Sequence, residues 1–267
     1  MKKTLEPYQL IERSIIKKYR KELWTPFIVA VKRYELVQAG DRIAVCISGG
    51  KDSMLMAKLM QELQRHSDVP FELVFLVMDP GYNEINRQKI ESNAELLHIP
   101  VNIFESNIFA VANNTDKNPC YLCARMRRGH LYSKAKELGC NKIALGHHYD
   151  DAVETFFMSL IFEGRLSCFQ PVTWLDRTQI TQIRPLLYCG ENLVRHTARR
   201  LSLPVVENPC PANGNTKRQE IKELIYELQG RYPGLKSRVF GSMQRLPLPE
   251  WGPVEHRRRP LPEEIGE

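Results

Sequence analysis

Short apolar runs and longer mixed segments follow one another through the first two thirds of the chain. Arg42–Ile47 is an apolar run that ends in Ser48-Gly49-Gly50, the pattern of a buried strand leaving through a tight turn. Residues 52–63 then carry apolar positions at helical spacing. The same sequence of events recurs, with strands expected at 71–78, 101–104 and 142–146 and helices at 83–97, 124–138 and 150–163. Ahead of this region, residues 8–38 read as one or two helices rich in Lys, Arg and Tyr, with Pro26 as the expected break. Beyond residue 165 the rhythm loosens. Residues 178–187 are expected to pair with 172–175 as a hairpin, and 191–201 and 216–229 to be helical. From Leu246 onward, prolines and the run Arg257-Arg258-Arg259 predict an extended or disordered tail.

Strands alternating with helices of this length predict an α/β fold with a parallel sheet. Ligands of such sheets sit beyond the carboxyl ends of the strands. The loops that follow strands, Ser48–Ser53 and Gly146–Asp151, are therefore where chemistry is expected. The domain reading is a helical segment 1–40, a main domain 41–210, a helical segment 211–246 and a tail 247–267.

Composition adds three constraints. Of 267 residues, 43% are hydrophobic and 26% charged, enough apolar side chain to fold. No stretch approaches the ~20 apolar residues of a membrane span. The N-terminus has two lysines with no apolar run behind them, unlike a signal peptide. A cytoplasmic protein is expected. The 38 basic and 31 acidic residues leave a net charge of +7, which favours anionic partners, nucleic acid first.

Ser48-Gly49-Gly50-Lys51-Asp52-Ser53 is the strongest motif. It opens a helix, where amides without intrahelical partners face outward and the dipole favours anions. The glycines let the backbone approach a phosphate, Ser48 and Ser53 can donate to its oxygens, Lys51 offsets its charge and Asp52 can help hold Mg2+. Walker A is excluded, because Asp52 separates the lysine from the serine. Gly146-His147-His148-Tyr149-Asp150-Asp151 faces the same sheet edge. Asp150 and Asp151 read either as helix caps or as groups that coordinate magnesium pyrophosphate. His147 and His148 read as phosphate ligands, as a general acid or as packing groups.

Seven cysteines do not form a disulfide framework in a reducing compartment. Cys120-Tyr121-Leu122-Cys123 alone reads as a redox pair, half a zinc site or part of an iron–sulfur site. Cys210, stiffened by Pro209 and Pro211, is the natural third ligand. Cys46, Cys140, Cys168 and Cys189 are expected to be structural. Arg125, Arg127 and Arg128 follow the C-x-x-C and suit thiolates or a nucleic-acid backbone.

The six residues Ser48–Ser53 match the S-G-G-x-D-S loop of N-type ATP pyrophosphatases. Together with AGDRIAVCISGGKDS, PCYLCARMRRGHLY, KIALGHHYDDAVET, Arg184-Pro185-Leu186 and the stretch from Pro209-Cys210 to Pro233-Gly234, the chain resembles the tRNA 2-thiocytidine synthetase family. These are iron–sulfur tRNA thiolases, and the likeness runs from about Leu36 to Leu246. The resemblance implies a Rossmann-like parallel sheet with helical additions at both ends. It implies ATP and Mg2+ at Ser48, Gly49, Gly50, Lys51, Asp52, Ser53, Gly146 and His147. It implies catalytic roles for Lys51, Asp52, Asp150, Asp151 and Arg127, and a 4Fe-4S cluster held by Cys120, Cys123 and Cys210. The implied reaction adenylates the C2 oxygen of a tRNA pyrimidine, releases pyrophosphate and replaces the oxygen with sulfur from an unidentified donor. A homodimer is a further expectation. One departure marks a side branch: Asn213 stands where the family's second cysteine of P-C-x-x-C falls. Two competing readings keep the same residues, namely an iron–sulfur desulfidase of thiolated pyrimidines and a zinc-stabilised nucleotide-binding module.

Overall fold

The computed structural model describes residues 5–81, 84–106, 108, 119–206 and 216–245, leaving aside the side chains of 119–121. Its centre is a six-stranded sheet in the order β3-β2-β1-β4-β6-β5. The strands are β1 (Arg42–Ile47), β2 (Glu72–Asp79), β3 (Val101–Glu105), β4 (Lys142–Ala144), β5 (Val172–Leu175) and β6 (Ile180–Ile183). All neighbours pair in parallel except β5, which turns back along β6 as the expected hairpin.

Side-chain alternation on β1 and β2 explains the continuous apolar runs, because both faces are covered. Ile43, Val45, Ile47, Phe75 and Val77 join the larger core. That core also takes in α1 (Pro7–Ile16), α2 (Thr25–Arg33), α3 (Lys51–His66) and α4 (Glu84–Leu96). Ala44, Cys46, Val74 and Leu76 face the other way, onto Tyr132 and Ala135 of α5 (Pro119–Glu137). A third cluster joins α6 (Tyr149–Met158) to α8 (Lys217–Arg231) and α9 (Leu235–Met243). The remaining helix, α7 (Glu191–Arg200), packs against the larger core through Val194 and Ala198.

The N-terminal helices are tied to the sheet layer by a charge. Lys58 of α3 is fully buried, and its ammonium meets Glu12 of α1 at 2.6 Å, Gln61 at 2.8 Å and the Leu97 carbonyl at 2.9 Å. Arg65 also meets Glu12, at 2.6 Å. A buried ammonium needs such partners, because its desolvation is otherwise uncompensated.

The structure corrects several expected boundaries. Residues 8–38 form α1, a π-helical turn Arg20–Trp24 and α2. Pro26 lies in the first turn of α2, where a missing N–H costs nothing, so it begins a helix instead of breaking one. The helix expected at 124–138 starts at Pro119 and so includes the C-x-x-C. The strand expected at 142–146 ends at Ala144, and the helix expected at 150–163 gives way at Ser159 to a π-helical turn stopped by Gly164 at φ +63°. Helix α9 follows Gly234 at φ +81° and was masked in the sequence by the Pro233-Gly234 turn. The proline- and arginine-rich tail lies outside the described residues. Among the described residues, no helix is long and apolar enough to cross a membrane.

Candidate functional site

The strand order reverses at β1 and β4, so the loops leaving their carboxyl ends diverge around a crevice. Both candidate loops leave there. They adjoin closely: a Cβ added at Gly146 would lie 3.5 Å from the Ser53 amide nitrogen.

Gly49 has φ +82°, and a Cβ there would come within 3.1 Å of Ile90 Cγ1 and 3.3 Å of Val206 Cβ. Its carbonyl accepts from Val206 N–H at 2.9 Å. Glycine is required here both for the left-handed backbone and for space. The Ser53 hydroxyl donates to the Gly50 carbonyl at 2.9 Å and accepts from Ser48 N–H at 3.1 Å. Ser53 thus braces the loop while also lining the cavity described below. The backbone carries the anion-binding character, at the N-terminus of a helix of 16 residues.

Lys51 sits between Asp52, at 2.9 Å, and Glu191 of α7, at 3.6 Å. Glu191 also receives Lys222 and Arg195, each at 2.6 Å. Burial alone would raise the Glu191 carboxyl, but hydrogen bonds from Lys222 and Arg195 and the nearby charges hold it at about 2. The second oxygen of Asp52 is different. Oδ1 is buried without a hydrogen bond, with His148 Nε2 3.9 Å away. An orphaned carboxylate oxygen beside a phosphate-binding loop suits a cation. Among the described residues, no group of three Asp, Glu, His or Cys forms a metal site by itself. Mg2+ fits here only as an ion shared with substrate phosphates, which is its usual habit.

The adjacent carboxylates Asp150 and Asp151 escape mutual repulsion by taking separate partners. Asp150 accepts from Glu191 N–H at 2.6 Å and meets Lys236 of α9 at 2.6 Å. Asp151 accepts from His148 N–H at 2.9 Å, while His148 Nδ1 accepts from Asp151 N–H at 3.3 Å, a reciprocal cap for α6. Arg218 of α8 lies 3.6 Å from Asp151 and 3.1 Å from Glu154.

A cavity of about 540 Å3 gathers Ser48, Asp52, Ser53, Gly146 and His147 with Arg127 and Arg128. Ala124, Arg127, Arg128, Leu131 and Tyr132 of α5 line it at helical spacing, one face of one helix. Arg125 is exposed and is not among the lining residues. His147 stands against the Phe169 ring at a centroid distance of 5.1 Å. Burial, then the charge of Arg184, pushes its imidazole down to about 4, so it is neutral at pH 7.

Arg184 received no role from the sequence, although the Arg184-Pro185-Leu186 segment was the signal. Its guanidinium lies 4.6 Å over the Phe169 ring, bonds the Gln170 carbonyl and meets Thr173 Oγ1 at 3.3 Å. Its Nε is buried without an acceptor, and burial lowers its pKa to about 10. Glu191, Lys222 and Lys236 were also missed, since their roles depend on helices that meet only in the folded chain.

Cys123 lies one turn before Arg127 on α5 and is half-buried. Cys210 and the Cys120 side chain lie outside the described residues. The other thiols are poor ligands: burial pushes Cys46 and Cys189 up to about 12 and Cys168 to about 11, and raises Cys140. That supports their expected structural role. Cys123 directly precedes Ala124 of the cavity lining, and a half-buried thiol there is a soft donor suited to an iron–sulfur cluster.

The chain is similar to known proteins. The PP-loop domain family matches residues 18–228. The chain is 37% identical over 237 residues to a protein of Dechloromonas aromatica named tRNA-cytidine(32) 2-sulfurtransferase, covering 87% of this chain and 83% of that one. A protein of the same name from Cellvibrio japonicus is 33% identical over 251 residues, covering 91% and 82%. Among solved structures, the U34-tRNA thiolase NcsA from Methanococcus maripaludis with its 4Fe-4S cluster superposes with a TM-score of 0.66 at 24% identity, over 84% of this chain and 79% of that one. The last match establishes the shared α/β fold. With this crevice, this loop and these relatives, the chain belongs to the PP-loop family, in the branch of the tRNA-cytidine 2-sulfurtransferases.

Proposed function

We propose that the protein uses ATP to activate the C2 oxygen of a cytidine in tRNA, position 32 by likeness to its relatives, and replaces that oxygen with sulfur. The carrying observation is the single cavity that joins the Ser48–Ser53 loop, the Gly146–His147 segment and the arginine face of α5. Amides at the start of α3 bind phosphate, with Lys51 offsetting its charge. Asp52 Oδ1, buried without a hydrogen bond, would help hold Mg2+, whose charge would offset that of the ATP phosphates. Arg127 and Arg128 orient the target base or its phosphate from the facing wall. Attack of the C2 oxygen on the α phosphorus breaks the bond to the β phosphate, and pyrophosphate leaves. The oxygen of C2, a poor leaving group, then departs as AMP. Asp150 and Asp151 hold the second loop to α7, α8 and α9 and so keep His147 at the cavity wall. A 4Fe-4S cluster held by Cys120, Cys123 and Cys210 would carry sulfur from the donor to C2. A tRNA substrate would put this work in the cytoplasm.

The sulfurtransferase names of the curated relatives favour thiolation over the reverse desulfidase chemistry and over a zinc module. The test is anaerobic reconstitution with iron and sulfide, followed by reaction with unmodified tRNA, ATP and sulfide. Thiocytidine in the nucleoside digest, with AMP and pyrophosphate formed alongside, is expected. Zinc without sulfide in freshly isolated protein, or thiocytidine formed without ATP, overturns the reading.

A further inference from the structure

A second cavity, of about 470 Å3, lies against α6, between the end of α2, the segment 166–171 and α9. Tyr34, Phe156, Phe169 and Phe240 give it aromatic walls. Among the described residues that line it, Arg33, exposed at the end of α2, is the one charged residue, and none is a carboxylate. Two polar groups are already fixed: Tyr34 and Tyr188 share a hydroxyl bond of 2.9 Å, and Gln244 donates to Tyr188 at 2.9 Å. Such a site suits a flat ring with an anionic neighbour.

Its location narrows the ligand. Phe169 lines both this cavity and the one holding the PP-loop. The same ring carries Arg184 at 4.6 Å and His147 at 5.1 Å. Two cavities that share an aromatic wall can receive consecutive units of one strand. Unpaired bases are commonly held by stacking on aromatic rings, with a cation beside the backbone.

We propose that this second cavity takes an unpaired base adjacent to the target nucleotide of the tRNA, stacked on the aromatic walls with its phosphate beside Arg33. This rests on the reading of the chain as a tRNA sulfurtransferase. A free nucleotide would need more than one cation for its charge, and an acidic protein segment would make little use of aromatic walls. The strand of an RNA loop supplies both ring and single phosphate.

The test uses the cluster-reconstituted full-length protein and two surface variants. Ser167→Trp fills the cavity from its exposed rim, and Arg33→Glu reverses its charge. Unmodified tRNA carries 2-aminopurine on either side of the target base. In the wild type, fluorescence at one flanking position is expected to be quenched on binding. In both variants that quenching is expected to be lost, with tRNA affinity at least tenfold weaker and ATP affinity unchanged. Equal tRNA affinity in all three proteins, or no quenching at either flank of the wild type, overturns the proposal. So does a variant that binds tRNA normally but fails to accept sulfur from a protein donor, since the cavity then serves a protein. A wild type that thiolates no tRNA removes the functional reading itself, and that outcome is separate from the failure of the variants alone.

Discussion

The Glu191 carboxylate lies 3.6 Å from the Lys51 ammonium while two further cations, Lys222 and Arg195, hold it at 2.6 Å. Helix α7 thus positions the lysine of a loop that is more than a hundred residues earlier in the chain. Glu191→Gln keeps the shape and removes the charge. We expect ATP KM to rise roughly tenfold, and stability to fall by about 1–3 kcal/mol because Lys222 and Arg195 lose a charged acceptor. Steady-state pyrophosphate release and urea unfolding check both.

The same substitution has a pH signature. The folded Glu191 carboxyl, at about 2, lies below its ordinary value of 4.5. Its contribution is therefore complete above pH 4.5 and is lost as pH falls toward 2. The stability gap between wild type and Glu191→Gln should narrow through that window and stay constant from pH 5 to 8.

Burial and Arg184 hold the His147 imidazole below the range of a surface histidine. Held near 4 when folded and at 6.5 when free, it binds a proton more readily in the unfolded chain. Stability should fall as pH drops from 6.5 toward 4 and should not change for this reason above 6.5. The pH profile of kcat/KM should show no limb near 6.5 that His147→Gln abolishes.

Gly49→Ala places a Cβ at φ +82°, 3.1 Å from Ile90 Cγ1. The backbone term alone costs about 1–2 kcal/mol. A lower melting temperature and loss of AMP formation are expected, read by calorimetry and by AMP assay.

Cys120→Ala, Cys123→Ala and Cys210→Ala should each lose iron and sulfide after anaerobic reconstitution while still binding ATP. Cys140→Ala and Cys168→Ser should keep both. A full cluster in Cys210→Ala would remove that residue from the ligand set.

Much of this protein can be read along the chain. The runs at Arg42–Ile47 and Glu72–Asp79 are apolar because both faces of a parallel sheet are covered, so strand and helix order follow from local pattern. The phosphate loop is equally legible, since a strand, two glycines and a helix start are neighbours in sequence. Boundaries were less so: a π-helical turn at Arg20–Trp24 and a prolyl helix start at Pro26 leave no distinctive spacing.

The partners of the site residues belong to the folded state alone. Whether Asp150 and Asp151 cap a helix or face a ligand was open in the sequence. Folding brings Glu191 N–H and Lys236 to one, and His148 and Arg218 to the other. Arg184 and Phe169 acquire meaning in the same way: the guanidinium stands 4.6 Å over the Phe169 ring, and that ring lines both cavities. Local pattern reports which backbone each segment adopts and which groups it carries. Charge pairing and cavity walls arise between segments far apart in the chain, and only the packing of helices on the sheet sets those distances.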